Sequence, residues 1–170
     1  VVDQITGLSE DGDTVYFEGW IDDPLQRHLY SVPMTGGEPV QITSGEGRWS
    51  AGLGQGGTAF IGAYSDPGTP PQTGLYSIDG ERIAWIEENA LDEGHPYFAY
   101  LDSHLTPEFG SLTAADGQTE LYWEMLRPGH CTAETPCPAI VQVYGGPLVQ
   151  TVTKGWTRPR EQLFADRGYV

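Results

Sequence analysis

The chain has 170 residues, 38% of them hydrophobic, so it carries enough apolar and aromatic side chain to fill a core rather than remain disordered. Twenty-four Asp and Glu against eight Lys and Arg give a formal net charge of −16, which argues against nucleic acid as a partner and against adhesion to an anionic membrane. No apolar run reaches the length of about 18 residues that a membrane span needs, and no signal peptide is readable.

The acids are uneven. Residues 1–92 hold 15 acids and 3 bases, and residues 93–170 hold 9 and 5, so the chain divides in two by charge. Within the first part a repeat is visible. "GDTVYFEGW", "HLYSVPM" and "GEPVQIT" return as "GGTAFIGAY", "GLYSIDG" and "GERIAWI", with Asp23-Pro24 and Asp66-Pro67 inside the intervening loops. Thr14 matches Thr58 at a spacing of 44, Leu29 matches Leu75 at 46, and Gly37 matches Gly80 at 43. Short strands separated by turns at a period in the low forties predict four-stranded blades of a β-propeller. A small sandwich with two similar hairpins is the alternative, because short β patterns are degenerate. Two copies cannot close a ring, so further blades are expected upstream.

After "ENALDEGHP" the pattern changes. "FGSLTAADGQTELYWEMLRP" predicts a hairpin, with strands near Phe109–Thr113 and Thr119–Leu126 around the Asp116-Gly117 turn. "CPAIVQVYGGP" then predicts a continuous apolar strand, Ala139–Tyr144, of the kind buried on both faces in an α/β sheet. "TRPREQLFADRGYV" predicts a helix with Pro159 in its first turn, an apolar face of Leu163 and Phe164, and Gly168 just past its end. Tyr169 and Val170 begin a new strand. Hairpin, buried strand, loop, helix and strand in this order are how an α/β-hydrolase domain begins. The predicted fold class is therefore mixed: residues 1–92 form the C-terminal blades of a propeller, and residues 93–170 the first strands and helix of an α/β-hydrolase domain. With no Met at its start and a strand opening at its end, the chain reads as an internal piece of a longer protein, whose upstream blades and downstream domain are its first partners.

The strand that ends in Tyr144 carries the candidate chemistry. Ligands gather beyond the carboxyl ends of strands in open α/β sheets. The loop after the third strand of an α/β-hydrolase supplies part of the oxyanion hole, which needs a hydrogen-bond donor aimed at a developing alkoxide. A tyrosine hydroxyl can be that donor. Gly145 and Gly146 let the backbone turn tightly, and Pro147 fixes the exit. The competing explanation is packing: an aromatic closing a sheet end beneath a glycine turn.

At this point "RHLYSVP", "WIEENALDE", "LYWEMLRP", "VQVYGGPLVQTVTKGW" and "FADRGYV" together resemble the dipeptidyl peptidase IV group of the prolyl oligopeptidase clan of serine peptidases. The resemblance implies a propeller covering an α/β-hydrolase domain, with Tyr144 donating its hydroxyl to the oxyanion. It implies release of N-terminal dipeptides from peptide substrates, with proline or alanine second, no cofactor, no metal, and a homodimer among the assemblies to expect. A G-x-S-x-G nucleophile stretch is absent from the chain, so the family's Ser, Asp and His are expected beyond Val170, and this segment alone is expected to be inert. His28, His95, His104 and His130 then have structural or surface roles. Glu87-Glu88 resembles the glutamate pair with which the family holds a substrate amine, but it falls at the end of the last blade and reads as a solvated turn.

Cys131 and Cys137 flank "TAETP". Even with His130 they fall short of the four ligands of a tetrahedral zinc site. A local disulfide fits a periplasmic or secreted protein and two free thiols a cytosolic one; the disulfide is the favoured reading. Two other functions share these features: a propeller and hydrolase-fold binding protein that has lost its nucleophile, and an oligopeptidase or acyl-peptide hydrolase of the same clan.

Overall fold

The structure, a computed structural model, describes residues 1–146 and 149–170. It is made mostly of antiparallel sheets with few helices, and it divides into two compact units: Val1–Ala90 with Lys154–Trp156, and Leu91–Thr153 with Thr157–Val170.

In the first unit, β1 (Val2–Leu8), β2 (Thr14–Gly19), β3 (His28–Pro33) and β4 (Val40–Gln41) form one four-stranded sheet. A second sheet consists of β5 (Arg48–Leu53), β6 (Ala59–Asp66), β7 (Thr69–Ser77) and β8 (Arg82–Glu87). Each is an antiparallel meander in which sequence neighbours are hydrogen-bonded neighbours. Short polar turns make this possible. In the β1–β2 turn, Asp11 accepts from the Ser9 hydroxyl at 2.6 Å and from the Asp13 N–H at 3.1 Å. At the β6–β7 turn, Asp66 accepts from the Gly68 N–H at 2.7 Å, an Asx turn that Pro67 pre-bends.

Both halves of the sequence repeat form second strands, but their spacing is corrected by one residue. Phe17 lies opposite Tyr30 and Phe60 opposite Tyr76, each pair stacked, with ring centroids 5.6 and 5.3 Å apart. On this strand the structural repeat is thus Phe17 to Phe60, 43 residues, rather than the 44 that matches Thr14 to Thr58. The following strand keeps its spacing of 46, Tyr30 to Tyr76. A slip of one residue moves a side chain to the opposite face of a sheet, so burial fixes the register where letter matching does not.

The core between the sheets joins Tyr16 and Leu29 of the first to Trp49, Ala51, Phe60 and Tyr76 of the second. Trp49 meets Tyr76 edge-on at 5.3 Å, the geometry that aromatic quadrupoles favour. Glu18 is fully buried beside this core. Its carboxylate accepts the Ala51 N–H at 2.5 Å and pairs with Arg27, whose guanidinium also reaches Asp3 at 2.8 Å. A carboxylate survives such burial because it is both ion-paired and hydrogen-bonded.

In the second unit, β9 (Glu108–Thr113) and β10 (Glu120–Met125) form the expected hairpin, with Thr113 opposite Glu120. Asp116 caps its turn by accepting the N–H groups of Gln118 and Thr119, each at 2.9 Å. Helix α1 (Pro159–Asp166) starts with Pro159 in its first turn. It ends in a Schellman motif: the Gly168 N–H donates to the Ala165 carbonyl at 2.9 Å and the Tyr169 N–H to Phe164 at 3.1 Å, with Gly168 at φ +81°. The helix buries Gln162 and Ala165, however, while Leu163 is 50% exposed, so the face expected from Leu163 and Phe164 is rotated. Gln162 explains the rotation. Its side-chain amide donates to the Leu105 carbonyl at 2.7 Å and accepts the Leu105 N–H at 2.9 Å, a two-point clamp that turns a polar residue inward.

The apolar segment Ala139–Tyr144 is a second correction. It forms no regular strand, and Val141 and Val143 are 82% and 81% exposed. Its regular pairing is limited to its start, where the Val170 N–H donates to the Pro138 carbonyl at 2.9 Å and the Ile140 N–H to the Val170 carbonyl at 2.8 Å. This alternation is that of two parallel strands meeting at Ala139 and Val170. A strand buried on both faces needs neighbours along its length and a layer on each side, and the described residues supply one point of pairing.

Candidate functional site

The site is built from the end of this segment. Tyr144 is 57% exposed, and among the described residues no hydrogen bond engages its hydroxyl, which is therefore presented to solvent as a donor. The two glycines that follow have different reasons to be glycine. Gly145 has φ +67°, a left-handed conformation that costs glycine least. Gly146 is folded back against the tyrosine ring: a Cβ there would stand 2.8 Å from Cε1 and 3.3 Å from Cζ of Tyr144, so a side chain at 146 would require the exposed ring to shift. The chain thus bends at Gly145 and passes close to the ring at Gly146. Pro147 falls outside the described residues.

Before the tyrosine, Gln142 is held from the helix: Arg160 donates from Nη2 to its Oε1 at 3.1 Å and pairs with Glu161 at 2.7 Å. Past the glycines, the segment reaches Lys154, whose ammonium donates to Asp23 at 2.9 Å and whose N–H donates to the Leu25 carbonyl at 2.8 Å. The sequence reading missed this lysine; its one signal was an isolated base among many acids.

The structure joins Cys131 and Cys137 in a disulfide, with Cα atoms 5.4 Å apart. His130 is beside them, all three ligand atoms lying within 4.8 Å of one another, but two bonded sulfurs have no lone thiolate to offer a metal. The Thr132–Thr135 turn inside the loop closes through the Thr132 N–H to the Thr135 carbonyl at 3.1 Å.

The remaining histidines are engaged in structure. His28 is buried, with Nδ1 3.1 Å from the Thr43 hydroxyl and Nε2 3.4 Å from Gln26 Oε1; burial pushes its imidazole below the usual histidine range and favours the neutral ring. His95 Nδ1 accepts the Tyr97 N–H at 3.0 Å, and His104 Nδ1 is 2.9 Å from the Tyr97 hydroxyl. Burial also raises the Tyr97 phenol above its ordinary value. Glu87 and Glu88 are exposed where β8 ends, and Glu87 accepts the Asn89 N–H at 3.0 Å within a local turn.

Against this geometry the similarities to known proteins can be placed. Residues 1–71 match the model of the dipeptidyl peptidase IV (DPP IV) N-terminal region. The chain is 32% identical, over its whole length, to a protein of Chaetomium globosum named "Probable dipeptidyl-aminopeptidase B". It is 31% identical, over 92% of its length, to dipeptidyl peptidase 8 of Homo sapiens. It spans 18% of each of these relatives, less than a fifth of their length. Among solved structures, Porphyromonas gingivalis dipeptidyl peptidase 4 matches 99% of the chain with a TM-score of 0.82 at 20% identity, a likeness of fold covering 23% of that protein. No helix among the described residues is long and apolar enough to cross a membrane.

Proposed function

We propose, from the premise that this chain is a segment of a dipeptidyl peptidase IV-like protein, that the whole protein is a serine exopeptidase releasing N-terminal Xaa-Pro and Xaa-Ala dipeptides, and that Tyr144 is one of its oxyanion donors. In this reading residues 1–92 are propeller blades and residues 93–170 open an α/β-hydrolase domain. The two meander sheets with matching Phe–Tyr pairs support the first part. The order of hairpin, apolar segment, helix and parallel-paired Val170 supports the second.

The observation that carries the proposal is Tyr144 itself: an exposed phenol, followed by a left-handed glycine and by a second glycine against which its ring rests. When a nucleophile attacks the scissile carbonyl, negative charge develops on the carbonyl oxygen. A neutral donor held at that point stabilises the charge without cost in reorganisation. Tyr144 binds the oxygen by donating its O–H and keeps its proton throughout. Nucleophile, base and acid come from outside this segment, so the segment alone hydrolyses nothing. The disulfide supports a periplasmic or secreted protein.

The whole protein tests the proposal on chromogenic substrates. Gly-Pro and Ala-Pro anilides with a free amine should be cleaved, and the same compounds with an acetylated amine should not. Equal cleavage of the blocked compounds would assign an endopeptidase or acyl-peptide hydrolase, and no cleavage of either a binding protein.

A further inference from the structure

We propose that His130, Cys131 and Cys137 form a zinc site of one imidazole and two thiolates once the disulfide is reduced, so that one loop has two alternative closures, one covalent and one through a metal. The inference is independent of the reading of Tyr144. The ligand atoms of the three residues already lie within 4.8 Å of one another. Tetrahedral Zn²⁺ sits about 2.3 Å from sulfur and about 2.0–2.1 Å from nitrogen, which sets its ligand atoms roughly 3.5–3.8 Å apart. From the bonded state the two sulfurs therefore part and the imidazole closes in, each over roughly 1–2 Å. Thiolates and imidazole are soft to borderline donors, which selects Zn²⁺ over Mg²⁺ or Ca²⁺, and three protein ligands leave the fourth position to water.

The loop holds these ligands together without the sulfur bond. The Cys131 N–H donates to the Pro128 carbonyl at 2.9 Å, and just past Cys137 the Pro138 carbonyl accepts the Val170 N–H at 2.9 Å. Inside the loop the Thr132 N–H donates to the Thr135 carbonyl, the Thr135 N–H returns to the Thr132 hydroxyl, both at 3.1 Å, and that hydroxyl donates to Glu134 at 3.0 Å. Reduction leaves all of these in place, so the ligands stay gathered before the metal arrives. His130 is exposed, and among the described residues no hydrogen bond engages its imidazole. An open cleft of about 360 Å³, bounded by Arg127, Pro128, Gly129 and Thr132, reaches Cys131 and gives metal and reductant a way in. A dithiol reductant supplies the two electrons. It is oxidised to its own disulfide while the Cys131–Cys137 bond breaks and each sulfur gains a proton; Zn²⁺ then displaces both thiol protons into solvent with no further redox change.

The test uses the whole protein with Co²⁺ as a spectroscopic probe. After reduction and anaerobic removal of the dithiol, the wild type should bind about one Co²⁺ more per chain than the Cys131→Ser/Cys137→Ser variant, with the near-ultraviolet absorption of thiolate bound to cobalt, and Zn²⁺ should displace it. The unreduced wild type should match the double variant. His130→Ala, at an exposed position, leaves the disulfide free to form and should weaken uptake by about tenfold or more. Zn²⁺ should also raise the melting temperature of the reduced wild type and leave that of the double variant unchanged. No difference in uptake between reduced wild type and double variant overturns the proposal, because any bound metal then lies elsewhere. Unchanged affinity in His130→Ala overturns it too, since the imidazole is then no ligand.

Discussion

The two units spend their apolar residues differently. In the first, Phe17, Leu29, Tyr30, Trp49, Phe60 and Tyr76 are buried; in the second, the buried apolar residues among those described are Pro107, Pro128, Cys131 and Ala165, while Leu112, Leu121, Val141, Val143 and Leu163 face water. Hydrophobic content does not separate them; connectivity does. An antiparallel meander pairs each strand with the next in sequence, so about forty residues complete a sheet that two-residue to eight-residue turns can fold. A parallel strand such as the one started at Ala139 must wait for a crossover before it meets its neighbour, and here that neighbour is represented by Val170. Local pairing completes each sheet of the first unit within its own stretch of sequence, and among the described residues the second is held by a hairpin, a disulfide and side-chain clamps.

Substitution of matched apolar residues should expose this contrast most strongly. Phe60→Ala removes a ring that is 1% exposed and stacked on Tyr76, and should destabilise the first unit by about 3–5 kcal/mol. Val143→Ala, in the whole protein, should shift the same denaturant midpoint by no more than ~0.5 kcal/mol if that residue is as exposed there. A large effect at Val143 would mean that the rest of the protein buries the segment after all, which would sharpen the contrast into one of completeness.

Reduction of the Cys131–Cys137 bond comes next in size. Its loop spans six positions, and releasing so short a closure should cost about 2 kcal/mol through the unfolded state, confined to the second unit. Thiol titration of the denatured, unreduced protein should find neither sulfur free; two free thiols would remove the staple from the account.

The smallest effect is a pH dependence in the first unit. Because burial depresses the His28 imidazole, the unfolded chain binds a proton that the folded one refuses in the window between about 6.5 and the lower folded value. Stability from this residue is complete above that window and falls as the pH drops through it. A thermal melt repeated from pH 7.5 down to 5 should show the fall, and His28→Gln should flatten it. An unchanged slope in the variant would locate the titration elsewhere.

Much of the architecture was legible in the letters because it is local. Gly-Asp-Thr against Gly-Gly-Thr marks two strand entries, Asp116-Gly117 marks a hairpin, and Pro159 with Gly168 brackets a helix. What was not legible depends on contacts remote in sequence. Phe17 and Phe60 set the repeat by facing equivalent stacked tyrosines, which alignment of threonines displaces by one. Gln162 turns inward because Leu105 offers a donor and an acceptor 57 positions away. Lys154 finds Asp23 across 131 positions, and Glu18 is buried because Arg27 and the Ala51 N–H are there to meet it. At the candidate site, "YGG" was readable as a bend after an aromatic; that Gly146 lies against the ring two residues earlier required coordinates.

The central claim is that the exposed phenol of Tyr144 stabilises a transition state rather than a fold. Tyr144→Phe keeps the ring against Gly146 and removes the donor alone. In the whole protein, kcat on a Xaa-Pro chromogenic substrate should fall by about 10² to 10³, with KM little changed, and the melting temperature should stay at its wild-type value. Wild-type turnover accompanied by a lowered melting temperature would contradict the account and leave Tyr144 a packing residue.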